Sequence, residues 1–131
     1  MNQVTLAAIE WAAKSSHDGT AHFGEIVKAL IEAGVESYHA DYRANRTTYY
    51  LPDGASHSIA LPPPPTPIAE PFDAAGVQAA IRGAQRGEVM YPQFMVLSRA
   101  AGCVGYVVWI AGRHVSYFGR RGETHVEHFP K

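Results

Sequence analysis

Slid 68 residues along itself, the chain meets its own second half without a gap. With residues 69–131 laid over residues 1–63, ten of the 63 pairs are identical. They are Ala7/Ala75, Ala12/Ala80, Gly19/Gly87, Ala33/Ala101, Gly34/Gly102, Tyr38/Tyr106, Tyr49/Tyr117, Gly54/Gly122, His57/His125 and Pro62/Pro130. Ten identities are few, but they fall where a structural repeat needs them: helix-ending glycines, turn glycines and strand tyrosines. Conservative pairs such as Lys14/Arg82, Phe23/Tyr91 and Ile26/Phe94 follow the same frame. This self-match limits the chain to two versions of one supersecondary unit, each too small to bury much core alone.

The unit reads as two helices followed by three strands. Val4, Leu6, Ile9 and Ala13 recur at helical spacing, which predicts a helix over residues 3–16 with Asn2 as N-cap. Phe23, Ile26, Val27, Leu30 and Ile31 form a full apolar stripe that Gly34 terminates. The period then falls to two. Tyr38, Ala40 and Tyr42 share one strand face, and Ser37, His39, Asp41 and Arg43 share the other. Ala44-Asn45 and Pro52-Asp53-Gly54 turn the chain into further strands at 46–51 and 56–61.

Residues 61–71, LPPPPTPIAEP, hold six of the nine prolines. Proline has no amide donor and a fixed φ, so this stretch reads as a polyproline strut between halves. A PxxP recognition ligand is the weaker alternative. The second half repeats the order: a helix capped by Asp73 and running to Gln85, a helix opened by Tyr91-Pro92 and ended by Gly102, and strands at 104–110, 114–118 and 123–129. The expectation is an α+β fold, a tandem duplication of an ααβββ unit. Antiparallel sheets would carry helices on one face, with the halves related by a pseudo-twofold axis. Residues 1–61, a connector at 62–71 and residues 72–131 would make one domain.

Composition narrows the class. Apolar residues are 47% and charged residues 18% of the chain, enough for a core and too little charge for disorder. A net charge of −1 gives no basic footprint for nucleic acid or an anionic membrane. The longest apolar run, 104–111, is too short to span a bilayer, and no signal peptide is expected because Glu10 interrupts the first apolar stretch. One cysteine, Cys103, forbids an internal disulfide and suits a reducing compartment, so a cytoplasmic protein is expected.

Chemistry has few footholds. His39 and Asp41, at i and i+2 on a strand, point the same way with bases about 6.6 Å apart. They are the candidate catalytic pair, as base and orienting carboxylate; the alternative is a solvated face with an Asp–Arg pair. Ligand-binding candidates are His39, Asp41, Arg43, Trp109, Tyr49 and Tyr117. His57 and His125, equivalent in the repeat, are the candidate metal pair near the axis. There is no HExxH spacing and no cysteine pair, so no metal and no cofactor are expected. The turn Gly119-Arg120-Arg121-Gly122 offers a phosphate cradle or simply an exposed basic tip. In the first copy the second strand face is polar; in the second copy it is apolar (Gly105, Val107, Trp109, Ala111), as in a central strand or one facing a partner.

The run AGVESYHADYR followed by TTYYLPDG, residues 33–43 and 47–54, resembles the YbcV-like family of small bacterial proteins. That family carries a domain-of-unknown-function label, and some members are named phage envelope protein. The resemblance implies the same helix, glycine and three-strand pattern across the chain and brings no assigned catalytic residues. Three readings follow. The leading one is a binding or regulatory module that holds a small molecule at the His39/Asp41/Trp109 face or between the halves. The others are a small hydrolase-like enzyme using His39 and Asp41, and a structural homodimer joined through Val107 and Trp109. The balance falls against an enzyme, because no nucleophile motif accompanies the pair.

Overall fold

In the computed structural model, which describes residues 1–130, four helices lie against one face of a single six-stranded antiparallel sheet. The elements are α1 (Gln3–Asp18), α2 (Phe23–Glu32), β1 (Ser37–Asp41), β2 (Arg46–Tyr50), β3 (Ser56–Ala60), α3 (Ala74–Gln85), α4 (Tyr91–Ala100), β4 (Cys103–Trp109), β5 (His114–Gly119) and β6 (Thr124–His128). This is an α+β fold in which the order ααβββ occurs twice. The sheet order is β3-β2-β1-β4-β5-β6, so the two hairpin-linked triplets join through their first strands.

The helices start and stop where local chemistry dictates. Asn2 Oδ1 accepts the Thr5 amide at 2.8 Å, and Asp73 Oδ1 accepts the Gly76 amide at 3.1 Å. At α2 the Glu25 carboxylate reaches back to the His22 amide at 2.9 Å. Helix α1 runs two residues beyond its expected end because Lys14 bridges Asp18 at 2.7 Å, one turn on, before Gly19 caps it in the left-handed region.

Backbone geometry repeats with the 68-residue shift. Left-handed residues come in equivalent pairs: Gly19/Gly87, Gly34/Gly102, Asn45/Arg113 and Gly54/Gly122. Asn45 and Arg113 are the two non-glycine members, at φ 57° and 61°. Gly105 has no equivalent. It lies at a bulge where β4 crosses close to β1, and a Cβ there would overlap the Ala40 carbonyl.

The register of the central pair defines the symmetry of the sheet. β1 and β4 align Ser37 with Trp109, Tyr38 with Val108, His39 with Val107, Ala40 with Tyr106 and Asp41 with Gly105. Since Val107 is His39 shifted by 68, the register is centred on matching positions of the two ααβββ stretches. The inner face carries Tyr38, Ala40, Thr47, Tyr49, Tyr106, Val108, Val115 and Tyr117, all buried against the helices. The outer face carries no helix, and Tyr50, Trp109 and Val126 are exposed on it.

The connector is tied down along its length. Arg99 Nε donates to the Thr66 carbonyl at 2.7 Å, Ala69 donates to the Arg99 carbonyl at 2.9 Å, and Arg120 reaches the Ile68 carbonyl at 2.8 Å. One arginine of the Gly119–Gly122 turn is therefore spent holding the proline segment. Gly102 allows this close approach, since a Cβ there would strike the Pro71 carbonyl. No helix among the described residues is long and apolar enough to cross a membrane.

Candidate functional site

The helices do not fill the space above the inner face. A chamber of about 1180 Å³ lies between the sheet and the helix layer, walled by both halves. Packed interiors leave few voids larger than a water molecule, whereas ligand pockets run from about 300 to 1,000 Å³. At about 1180 Å³ the chamber is far larger than a packing void and lies just above the upper end of that range.

Its floor is aromatic and follows from the register. Tyr38 lies directly opposite Tyr49 across β1–β2, and Tyr106 lies directly opposite Tyr117 across β4–β5. The two pairs are equivalent under the 68-residue shift. Ring centroids are 5.3 Å apart in the first pair and 5.6 Å in the second. Tyr91 and Phe94 of α4 add two rings, each packed edge-on to Tyr106 at 6.4 Å. Ile26, Val27 and Ile81 supply aliphatic wall.

The hydroxyls divide into two sets. Tyr106 Oη donates to Tyr91 Oη at 2.8 Å, and deeper in the core Tyr42 Oη and Ser98 Oγ share a hydrogen bond of 2.9 Å. No hydrogen bond joins the hydroxyls of Tyr38, Tyr49 or Tyr117 to any group among the described residues. Nor are these three sealed away. Among the described residues, the one buried side-chain nitrogen or oxygen that is both shielded and unpaired is His125 Nε2. Burial pushes the Tyr38 and Tyr106 phenols well above their ordinary range, and raises those of Tyr49, Tyr91 and Tyr117. They remain neutral, so each unpaired hydroxyl is a proton donor facing the chamber.

One wall is charged. Glu127 on β6 receives Arg82 of α3 at 2.5 Å, and the same guanidinium nitrogen reaches Gln85 at 2.9 Å. His125 Nε2 lies 3.4 Å from the other Glu127 oxygen. The first-half equivalent of Glu127 is Ile59, so this wall exists at one end of the chamber only.

The sequence-derived candidates separate by face. Tyr49 and Tyr117 line the chamber. His39, Asp41 and Trp109 lie on the outer face, and Arg43 follows β1 in its turn. The Asp41 carboxylate caps that turn, accepting the Arg43 and Ala44 amides at 3.0 Å each, and no hydrogen bond joins it to His39 among the described residues. Trp109 Nε1 donates to Ser116 Oγ at 3.2 Å. His57 and His125 sit on the two edge strands, roughly 24 Å apart by strand spacing. The symmetry that makes them equivalent also separates them. Among the described residues no group of three or more His, Cys, Asp or Glu side chains is placed to hold a metal ion.

Sequence reasoning missed Tyr38, Tyr91 and Glu127, which line the chamber, and Arg82, which holds Glu127. A signal for Glu127 was present in the comparison of copies, where an isoleucine on the core face becomes a glutamate.

Fold and chamber together define a small α+β protein with a ligand-sized space between a six-stranded antiparallel sheet and its helices. The chain belongs to the family described as "Protein of unknown function (DUF1398)", which it matches over residues 7–127. It is also similar to the uncharacterized protein Rv2012 of Mycobacterium tuberculosis (strain H37Rv) and to the uncharacterized protein Mb2035 of Mycobacterium bovis. It is 33% identical to each over 58 residues, covering 44% of this chain. The match spans 35% of the length of those relatives.

Proposed function

We propose that the protein is a binding module whose small-molecule ligand occupies the chamber over the inner sheet face. The observation that carries this reading is a chamber of about 1180 Å³ floored by four tyrosines, three of whose hydroxyls have no protein partner. A void of that size under a helix layer forfeits the packing contacts of its whole lining, and a ligand restores them. The preference for a binding role over acid–base catalysis rests on Asp41, whose carboxylate is spent on its own turn. The motif of residues 33–43 and 47–54 supports placing the chain with the YbcV-like proteins.

A neutral solvatochromic dye, Nile red, tests the reading. The protein is expected to bind it saturably at one site with blue-shifted emission, and Ala84→Trp, which projects a large side chain from the chamber wall, is expected to abolish the signal. Equal binding by both proteins would overturn the chamber as the site.

A second reading concerns the outer face, where Trp109 is 40% exposed and Val126 44% exposed with no helix over them. We place a second copy of the chain there. Light scattering on wild type and Trp109→Lys tests this: a dimer reduced to a monomer supports it, and a wild-type monomer contradicts it.

A further inference from the structure

The two tyrosine pairs on the chamber floor are equivalent by position but not by chemistry. In the second half, Tyr106 Oη donates a hydrogen bond to Tyr91 Oη at 2.8 Å. The first-half counterpart of Tyr91 is Phe23, which has no oxygen and packs edge-on against Phe129 at 6.0 Å. Tyr38 is therefore left without the partner that its equivalent enjoys. It is 5% exposed and Tyr49 beside it 4%, so both rings are deeply buried, while their hydroxyls, without a protein partner, are not shielded. Their rings stack at an interplanar angle of 30° with centroids 5.3 Å apart, and both line the chamber.

Two accessible donors side by side, without a protein acceptor, offer a paired hydrogen-bonding point to whatever occupies the chamber. Of the charged groups of the wall, Lys14 is paired with Asp18, Arg86 with Glu88 and Glu127 with Arg82, while Glu10 and Arg113 are solvent-exposed, Arg113 against the Pro130 carbonyl and the Phe129 ring. An ion entering the chamber would meet an apolar, aromatic floor whose charged neighbours are paired or turned to solvent. Resting on the chamber reading above, we infer that the ligand is an uncharged aromatic compound bearing a hydrogen-bond-accepting oxygen, and that this oxygen is held by the Tyr38 and Tyr49 hydroxyls while its rings lie among Phe94, Tyr106 and Tyr117. Burial raises both phenols, so the two donors keep their protons across the neutral range.

A matched pair of probes separates this inference from the chamber reading on which it rests. 2-Acetylnaphthalene carries a carbonyl oxygen, and 2-isopropenylnaphthalene replaces that oxygen with a methylene of nearly the same shape. Calorimetric titration of wild type is expected to give at least about tenfold tighter binding of the acetyl compound, the discrimination that a pair of hydrogen bonds to a buried acceptor provides. In the Tyr38→Phe/Tyr49→Phe double variant, that preference is expected to shrink to about twofold, with binding of the isopropenyl compound unchanged. Equal affinities in wild type would overturn the acceptor inference and leave the chamber reading standing. Binding of neither probe would overturn both. Tighter binding of the cationic analogue (naphthalen-2-ylmethyl)trimethylammonium would overturn the inference in favour of an aromatic cage for cations. Circular dichroism of the double variant, which deletes two oxygens and changes no ring, checks that its fold is kept.

Discussion

His39 faces Val107 as a direct cross-strand partner at the centre of the sheet, and these two residues occupy the same position in the two halves. The pairing centres the β1–β4 register on His39 on the outer face and, one residue away on the inner face, sets Tyr38 and Tyr106 on either side of that centre. The most conspicuous polar residue of the hairpin therefore points away from the chamber, and the tyrosines flanking that centre point into it.

This arrangement predicts that His39→Ala is nearly silent. The substitution removes a half-buried side chain with no protein hydrogen bond, so stability should change by no more than about 0.5 kcal/mol. Nile red affinity should match wild type. Loss of dye binding with an intact melting transition would move the site to the outer face.

The buried phenols predict a specific alkaline behaviour. Desolvation raises the folded-state pKa of Tyr38, Tyr42, Tyr49, Tyr91, Tyr106 and Tyr117 above the unfolded value of about 10. A proton held more tightly in the folded state means stability that is complete below pH ~10 and lost as pH rises above it. Absorbance at 295 nm should show these six ionising together with the loss of near-ultraviolet circular dichroism. Gradual ionisation around pH 10 with the fold intact would contradict their burial.

Cys103 is fully buried, its Sγ lies 3.2 Å from the Gly105 carbonyl, and burial pushes the thiol up to about 11. Thiolate is the reactive form, so the native protein should resist Ellman's reagent at pH 8 and react fully once unfolded in guanidinium chloride. Rapid labelling of the native protein would show that β4 opens readily.

The bridges of the two halves should differ in worth. Arg82→Ala strands a Glu127 that is 17% exposed and adjoins His125, and is expected to cost about 1 kcal/mol after allowance for the arginine's own exposure. The equivalent Lys14→Ala breaks a bridge in open solvent and should not change the urea midpoint measurably. Equal effects would show that the Glu127 wall adds nothing to the fold.

What the sequence revealed, and what it hid, follows from the range of each signal. Helix stops at Gly34 and Gly102, the period-two faces of Tyr38–Tyr42, and the turn glycines are local, and the structure has them where they were read. Pairing of β1 with β4 joins residues 64 to 72 apart in the chain, and no local pattern announces it. Gly105, the residue that lets the two strands approach, shows only as a glycine inside an apolar run. Hollow and filled interiors also have the same apolar periodicity. Tyr38 and Tyr106 were therefore legible as core-facing and not as the floor of a chamber, while Tyr49 and Tyr117 entered the candidate list through symmetry. His39 and Asp41 drew attention because polar residues on a strand stand out. The turn that Asp41 caps could be seen only once the backbone was in place.

The chamber itself is tested most directly by nuclear magnetic resonance of protein carrying ring-¹³C tyrosine, titrated with 2-acetylnaphthalene. The account predicts shifts in the ring signals of Tyr38, Tyr49 and Tyr117, with Tyr50 on the outer face unmoved. Shifts confined to Tyr50, or none at saturating probe, would contradict it.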